Sequence, residues 1–198
     1  TINIPDQEIK ETLKEEGVVW YYGMSCSGKT YMGIKELNSY PIIKVAYNPC
    51  FSSDEEYALI KLLMYCGRNI AILLDDLQCD TEKTEELFKI IAEKKDTLKN
   101  RNIHIFMVSW VSLLTNEKVA GYQSVFKAFQ VNTDRYIAQL QREIGDKKLR
   151  KICGKNLALL NSAAKYCEKN LGEPEKELFE TFVKTNDAQK IESIYRLC

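Results

Sequence analysis

An eight-residue segment near the amino terminus restricts the folds open to this chain more than any other part of it. The segment is Gly23-Met24-Ser25-Cys26-Ser27-Gly28-Lys29-Thr30. It fits the spacing Gly-x-x-x-x-Gly-Lys-Ser/Thr. The preceding run, residues 18–22, is β-branched and aromatic, which predicts a buried strand, and a helical pattern continues from Lys29 to about Ser39. A strand, a glycine-bounded loop and a helix in this order predict a loop whose N–H groups surround phosphate oxygens.

The side chains of this loop have expected roles in holding a nucleotide. Lys29 is expected to reach the β- and γ-phosphates as a catalytic residue, and the Thr30 hydroxyl is expected to ligate Mg²⁺. The alternative is a glycine turn that fits the spacing by chance. The predicted nucleotide-binding residues are Gly23, Met24, Ser25, Cys26, Ser27, Gly28, Lys29, Thr30 and Tyr31.

The rest of the chain alternates apolar runs with helical patterns. Further strands are predicted at 42–47, 70–74, 103–108 and 125–131, and helices at 54–66 and from an Asp80 cap to Leu98. Five strands with helical crossovers predict an α/β fold, a three-layer parallel sheet with helices on both faces. Strand patterns then stop, and helices are predicted at 132–144, 146–153, 156–170 and 174–184. We therefore expect a nucleotide-binding domain over 1–131 and a helical lid subdomain over 132–198.

Polar side chains end the third and fourth predicted strands. Asp75 and Asp76 follow the third strand, and an aspartate in that place is the usual magnesium partner of a phosphate loop, which assigns Asp75 to the metal. The alternative is a solvated strand end with two capping carboxylates. Ser109 directly follows the fourth strand, where a serine can also be the hydroxyl of a local turn.

This order of motifs resembles the additional-strand class of P-loop ATPases, which includes the AAA+ and signal-transducing (STAND) NTPases. In that class another strand lies between the loop strand and the magnesium strand, and the strand at 42–47 is the intervening one here. The resemblance implies that Asp76 polarises the attacking water and that Ser109 holds this water or the γ-phosphate. It also implies that ATP lies between the sheet and a lid that moves when the γ-phosphate is lost.

The predicted lid and the arginine pattern bear on this resemblance. Residues 153–159 are similar to the STAND Gly-x-Pro-Leu signature, with Asn156 at the position of the proline. Residues 110–125, where AAA+ proteins usually carry an arginine finger, contain no arginine. Slow hydrolysis by the isolated chain is therefore expected, with Arg101 and Arg135 as candidates for acting on a neighbouring subunit. The implied partners are ATP and either further copies of the chain or a larger parent protein.

Other functions remain open on the sequence. A viral-type DNA-packaging ATPase or a superfamily 3 helicase would also carry this loop and the Asp-Asp pair, and would make nucleic acid a partner. The local cluster Lys147, Lys148, Arg150, Lys151 and Lys155 is either a solvated helix face or a contact with a phosphate backbone. A small-molecule kinase would need an arginine-rich lid, which residues 110–130 do not supply, and a nucleotide-bound module without turnover is the fourth reading. ATP is preferred to GTP because the guanine motif Asn-Lys-x-Asp is absent.

Charge and cysteine content bear on the binding partners and the cellular compartment expected for this chain. The number of lysines and arginines (28) equals the number of aspartates and glutamates (28). The net charge therefore gives no argument for binding to nucleic acid or to a membrane. No apolar run reaches the roughly 18 residues of a membrane helix, and the amino terminus does not resemble a signal peptide. Seven cysteines without a C-x-x-C pair predict reduced thiols, mostly buried, in a cytoplasmic, reducing compartment. The lone histidine, His104, is expected to pack within a strand rather than to act as a base.

Overall fold

The computed structural model describes residues 6–24, 27–131, 133–145, 147–155 and 157–167. The chain divides into two compact units between residues 132 and 133, and Asn132 itself lies outside the described residues. The described strands all belong to the first unit: β1 Val18–Tyr22, β2 Ile43–Tyr47, β3 Ile70–Leu74, β4 Ile103–Ser109 and β5 Ala128–Gln130. Its described helices are α1 Asp6–Glu16, α2 Lys29–Asn38, α3 Asp54–Cys66 and α4 Thr81–Asn100.

The five strands form one parallel sheet in the order β2-β3-β4-β1-β5. This confirms the predicted α/β class and places an additional strand between the loop strand β1 and the aspartate strand β3. That strand is β4, so the expectation that residues 42–47 intervene is wrong, because β2 lies at the edge of the sheet.

Burial explains which strand takes the central place. All seven residues of β4 are buried, as a continuous apolar strand covered on both faces should be. In β2, by contrast, Ile43 is 68% exposed and Lys44 is also exposed. A central strand is covered on both faces, so a strand with this little buried surface occupies an edge of the sheet.

Each face of the sheet carries its own apolar core. Helices α3 and α4 cover the face that presents Trp20, Ile72 and Met107. Helices α1 and α2 cover the opposite face through residues such as Ile9 and Met32. The sequence reading did not identify α1, although the spacing of Ile9 and Leu13, both at most 1% exposed, is that of one helical face.

Two predicted boundaries change in the structure. The fifth strand spans only 128–130 rather than 125–131, because the N–H groups of Val125 and Phe126 donate to Tyr122 O and remain in a turn. The predicted cap of α4 is confirmed, since Asp80 Oδ1 accepts a hydrogen bond from Lys83 N at 3.0 Å.

The second unit is helical in its described part, with α5 Asp134–Glu143, α6 Lys147–Cys153 and α7 Leu157–Cys167. Its core contains residues from all three helices, among them Ile137, Leu140, Cys153 and Leu160. The predicted helix at 174–184 and the lid position Asn156 lie outside the described residues. Among the helices that are described, none is long and apolar enough to cross a membrane.

The cysteines differ from the expectation of buried, reduced thiols. Cys50 and Cys79 form a disulfide, because the segments after β2 and β3 bring their Cα atoms to 5.7 Å. Among the free cysteines, Cys153 is buried but Cys66 and Cys167 are exposed. Cys26 and Cys198 lie outside the described residues.

Candidate functional site

The predicted phosphate loop begins where β1 ends, at the carboxyl edge of the sheet. Gly23 N donates to Ser109 O at 3.2 Å, which ties the first residue of the loop to the end of β4. Gly28 caps α2 with φ +82°, a left-handed conformation that glycine adopts without steric cost. Ser25 and Cys26 lie outside the described residues. The loop therefore leads directly into a helix N-terminus, as an anion site requires.

Close packing fixes the helix that follows the loop. A Cβ atom added to Gly33, on the first turns of α2, would lie 2.7 Å from Leu73 Cδ1 and 3.0 Å from Phe106 Cδ1. Any residue larger than glycine here would require the Leu73 or Phe106 side chain to shift, so the absence of a side chain lets α2 approach β3 and β4 closely. The N-terminus of α2 is thereby held against the same sheet edge that carries the two aspartates.

The Lys29 side chain turns back into its own loop. It is only 6% exposed, and its Nζ donates to Met24 O at 2.6 Å and to Ser27 Oγ at 3.4 Å. Ser27 Oγ also donates to Met24 O at 2.7 Å. A largely buried ammonium held by loop oxygens places a positive charge where phosphate oxygens would accept the same hydrogen bonds. Tyr31, by contrast, is 72% exposed.

The two predicted metal ligands meet across 45 residues of sequence. Thr30 Oγ1 donates to Asp75 Oδ1 at 3.1 Å. Burial raises the pKa of Asp75, and the neighbouring Asp76 carboxylate raises it further, while the hydrogen bond from Thr30 opposes both effects. Mg²⁺ prefers oxygen ligands and would offset the cost of ionising this carboxylate. The hydroxyl and carboxylate therefore fit a magnesium site.

Asp76 is held by two side-chain amides. Its backbone is left-handed, with φ +49°, so that the chain turns sharply after β3. Asn48 Nδ2 donates to Asp76 Oδ2 at 3.1 Å, and Gln78 Nε2 donates to Asp76 Oδ1 at 3.0 Å. Both carboxylate oxygens thus have a fixed direction.

Sequence reasoning missed both amides. Asn48 directly follows β2, and Gln78 lies two residues beyond Asp76. The available signal was positional, because polar residues that end parallel strands meet at the carboxyl edge of the sheet.

Ser109 reaches this edge, but its hydroxyl is engaged elsewhere. The residue is fully buried, and its Oγ accepts from Trp20 Nε1 at 2.9 Å and donates to Trp110 O at 3.2 Å. Donation to the γ-phosphate would require this hydroxyl to give up its contact with Trp110 O, because it has only one proton to donate. Its main-chain oxygen, in contrast, already holds Gly23 of the loop.

His104 lies away from these groups and serves packing, and so do Trp20 and Tyr21 of β1, although Trp20 also donates to the Ser109 hydroxyl. His104 is buried near the start of β4, where its ring stacks on Tyr40 at 4.0 Å between centroids and Nε2 contacts Asn102 Oδ1 at 2.9 Å. Trp20 and Tyr21 are fully buried in the two cores. These positions agree with the structural roles expected for them.

Comparison with solved structures identifies the fold. The replication initiator DnaA, bound to AMPPCP and single-stranded DNA, is similar with a TM-score of 0.52 and 17% identity over 86% of this chain and 62% of that chain. Domain III of the Thermotoga maritima replication initiation protein DnaA has a TM-score of 0.49 and 15% identity over 93% and 95% of the two chains. A Thermotoga maritima RuvB variant has a TM-score of 0.47 and 14% identity over 88% and 58%.

The sequence comparisons give no further relative. No family profile matches this sequence, and no curated protein matches it either.

Three observations agree on the fold. They are the strand order with β4 between β1 and β3, the loop at the end of β1, and the similarity to the first DnaA structure. The chain has the additional-strand P-loop fold, and it shares this fold with the replication initiator DnaA.

Proposed function

We propose that this chain binds ATP with Mg²⁺ at the carboxyl edge of its sheet and hydrolyses it, acting as a conformational switch or motor of the AAA+/STAND type. The observation that supports the proposal is the grouping of four side chains at that edge. The buried Lys29 ammonium and the Thr30 hydroxyl follow β1 and its loop, whereas Asp75, which pairs with Thr30, and the doubly hydrogen-bonded Asp76 follow β3. The structure of DnaA with AMPPCP, a nucleotide bound on a similar fold, also favours a nucleotide as the ligand.

The binding roles follow from charge. The loop N–H groups, the N-terminus of α2 and Lys29 attract the β- and γ-phosphates. Thr30 Oγ1 and Asp75 would hold Mg²⁺. When bound, this ion supplies positive charge that offsets the negative charge on the transferring phosphoryl group.

The catalytic step is assigned to Asp76. A water oxygen bonds to the γ-phosphorus, the bond to the β,γ-bridging oxygen breaks, and ADP and inorganic phosphate form. The Asp76 carboxylate accepts a hydrogen bond from that water and receives its proton, and the amides of Asn48 and Gln78 fix its orientation. Ser109 stays a proposed sensor that acts either after its hydroxyl changes partner or through its main-chain oxygen.

Two matched pairs of variants test this proposal. Lys29→Ala is expected to weaken ATP binding strongly, whereas Lys89→Ala, an exposed lysine on α4, leaves it unchanged. Asp76→Asn is expected to retain ATP binding and lose about 10²–10⁴-fold in phosphate release. Asp96→Asn, at an exposed site on α4, is the control for that change. The measurements are nucleotide affinity by calorimetry and phosphate release with and without Mg²⁺.

The outcomes separate the competing readings. An unchanged rate in Asp76→Asn would show that the assignment of the catalytic carboxylate is wrong. Tight binding without turnover in the unaltered chain would favour a nucleotide-bound module. Phosphate release without any added acceptor would count against a small-molecule kinase.

A second candidate function is an ATPase that acts on nucleic acid. The observation that favours it is the basic helix α6, where Lys147 and Lys151 are exposed and the exposed Lys155 follows. DnaA, which has a similar fold, binds single-stranded DNA. Phosphate release that rises with single- or double-stranded DNA, and loses this response in a Lys147→Ala/Lys151→Ala variant, would support this function over a switch. A rate that DNA does not change would count against it.

A further inference from the structure

We propose that Gln78 is a positioning residue that aligns the Asp76 carboxylate with the end of β4, and so with the phosphate loop. The inference rests on the ATPase activity proposed above. Gln78 Nε2 donates to Asp76 Oδ1 at 3.0 Å, and Gln78 Oε1 accepts from Trp110 N at 2.9 Å. One side chain thus joins the turn after β3 to the residue that follows β4.

The chemistry of these partners determines the orientation of the amide. A backbone N–H can only donate, so Trp110 N requires the oxygen of Gln78. The remaining NH₂ group then faces Asp76, whose ionised carboxylate can only accept. Both ends of the amide are matched, and a flipped amide would place a donor against a donor and an acceptor against a carboxylate.

The need for such a residue lies in the turn that carries Asp76. The left-handed backbone of Asp76 leads into a single 3-10 turn, Leu77–Cys79. Leu77 is fully buried, and its carbonyl accepts from Thr84 Oγ1 at 2.6 Å, which anchors the backbone of the turn. These contacts fix where the turn lies but leave the Asp76 carboxyl group free to rotate. The donors on its two oxygens remove that freedom, and Gln78 supplies the one on Oδ1.

The path from Gln78 continues to the loop. Trp110 follows Ser109, whose main-chain oxygen accepts from Gly23 N at 3.2 Å. Gly23 is the first residue of the predicted phosphate loop. Since β4 separates β1 from β3, Asp76 and the loop do not lie on neighbouring strands. Gln78 bridges this separation, so that the carboxylate is aligned with the place where the γ-phosphate is proposed to lie.

The test replaces the amide without removing its bulk. Gln78→Met keeps the length of the side chain and removes both hydrogen bonds, and Gln78→Glu keeps the acceptor for Trp110 N but removes the donor for Asp76. Both variants are expected to lower kcat for ATP hydrolysis about 10–100-fold and to leave KM and ATP affinity within about twofold, because the phosphate contacts are untouched. Gln123→Met is the control, since the Gln123 amide donates to Leu114 O and lies outside the site.

A double variant distinguishes positioning from general destabilisation. If Gln78 acts through Asp76, Gln78→Met should cause little further loss in the Asp76→Asn background. If the unaltered chain is active, any of three results would overturn this inference and leave the ATPase proposal intact. They are that Gln78→Met leaves kcat unchanged, that it raises KM instead, or that it lowers the rate equally in both backgrounds. If the unaltered chain releases no more phosphate than Lys29→Ala, the ATPase proposal and this inference both fail.

Discussion

Asp75 and Asp76 are adjacent in sequence but lie in different surroundings. Asp75 faces the Thr30 hydroxyl, and burial raises its pKa. Asp76 has a left-handed backbone, and its oxygens accept from two amides. The two adjacent carboxylates therefore have separate hydrogen-bond partners, which fits the roles proposed for Asp75 toward the metal and for Asp76 toward the water.

His104 provides a prediction about pH. Burial lowers its pKa below the ordinary 6.5, so the unfolded chain binds this proton more readily than the folded one. The free energy of unfolding should therefore fall as the pH drops below about 6.5, and His104 should contribute no pH dependence above that value. His104→Phe, which can still stack on Tyr40, removes the titration.

Urea denaturation at pH 7.5 and 5.5 tests this expectation. The unaltered chain should lose more stability between the two pH values than the His104→Phe variant does. Equal losses would mean that His104 does not contribute to acid sensitivity. Comparing the two chains cancels the contributions of carboxylates that titrate over the same range.

Among the elements, the segments after β2 and β3 are joined by the Cys50–Cys79 disulfide. The bond spans 29 residues of sequence and encloses α3 and β3. It lies beside the residues that hold Asp76, since Cys50 N donates to Asn48 Oδ1 at 2.9 Å and Cys79 follows Gln78. The cross-link restricts the unfolded chain and thereby stabilises this half of the sheet.

Reduction of the disulfide should lower the free energy of unfolding. Loop-closure entropy for a loop of this length gives about 3–4 kcal/mol. Denaturation with and without dithiothreitol measures the difference, and a Cys50→Ser/Cys79→Ser variant should resemble the reduced chain under both conditions. Cys66→Ser, at a free and exposed cysteine, should keep the full response. An unaltered chain whose denaturation midpoint ignores dithiothreitol would contradict the prediction.

For the whole molecule, we expect assembly with further copies of the chain to have the largest effect on the rate of hydrolysis. Residues 110–130 contain no arginine. Arg101 lies just before β4, at the edge of the sheet opposite the predicted site, and its Nη1 donates to Tyr65 O. The Arg135 side chain lies outside the described residues. An arginine supplied by a neighbouring copy would speed phosphate transfer by about 10³-fold or more, as arginine fingers do.

The specific rate of ATP hydrolysis should therefore rise with protein concentration. Rates measured from nanomolar to tens of micromolar protein, with particle mass from light scattering on the same samples, test this. A specific rate that stays constant while the mass increases would show that neighbouring copies do not complete the site.

Much of the local structure follows from the order of residues alone. The apolar runs that become β1, β3 and β4, the Asp80 cap and the loop ending in Lys29-Thr30 are each defined by neighbours a few residues apart, and all were predicted. The proximity of Thr30 and Asp75 can also be predicted from the sequence, because parallel strands bring their carboxyl ends together. Helix α1 is absent from the predicted elements although its apolar spacing is local, and β5 is shorter than predicted because a turn can also contain apolar residues.

The remaining features depend on which strands become neighbours, and no local pattern encodes that. The placement of β4 beside β1 brings Trp20 to the Ser109 hydroxyl across 89 residues, and its placement beside β3 brings Trp110 to Gln78 across 32. The same sheet order pairs Asn48 with Asp76 across 28 residues and Cys50 with Cys79 across 29. Residue types and strand ends can be predicted from short-range preferences. The partners of Asp76 and Ser109 depend on sheet order, which is set by how much apolar surface each strand buries on both faces.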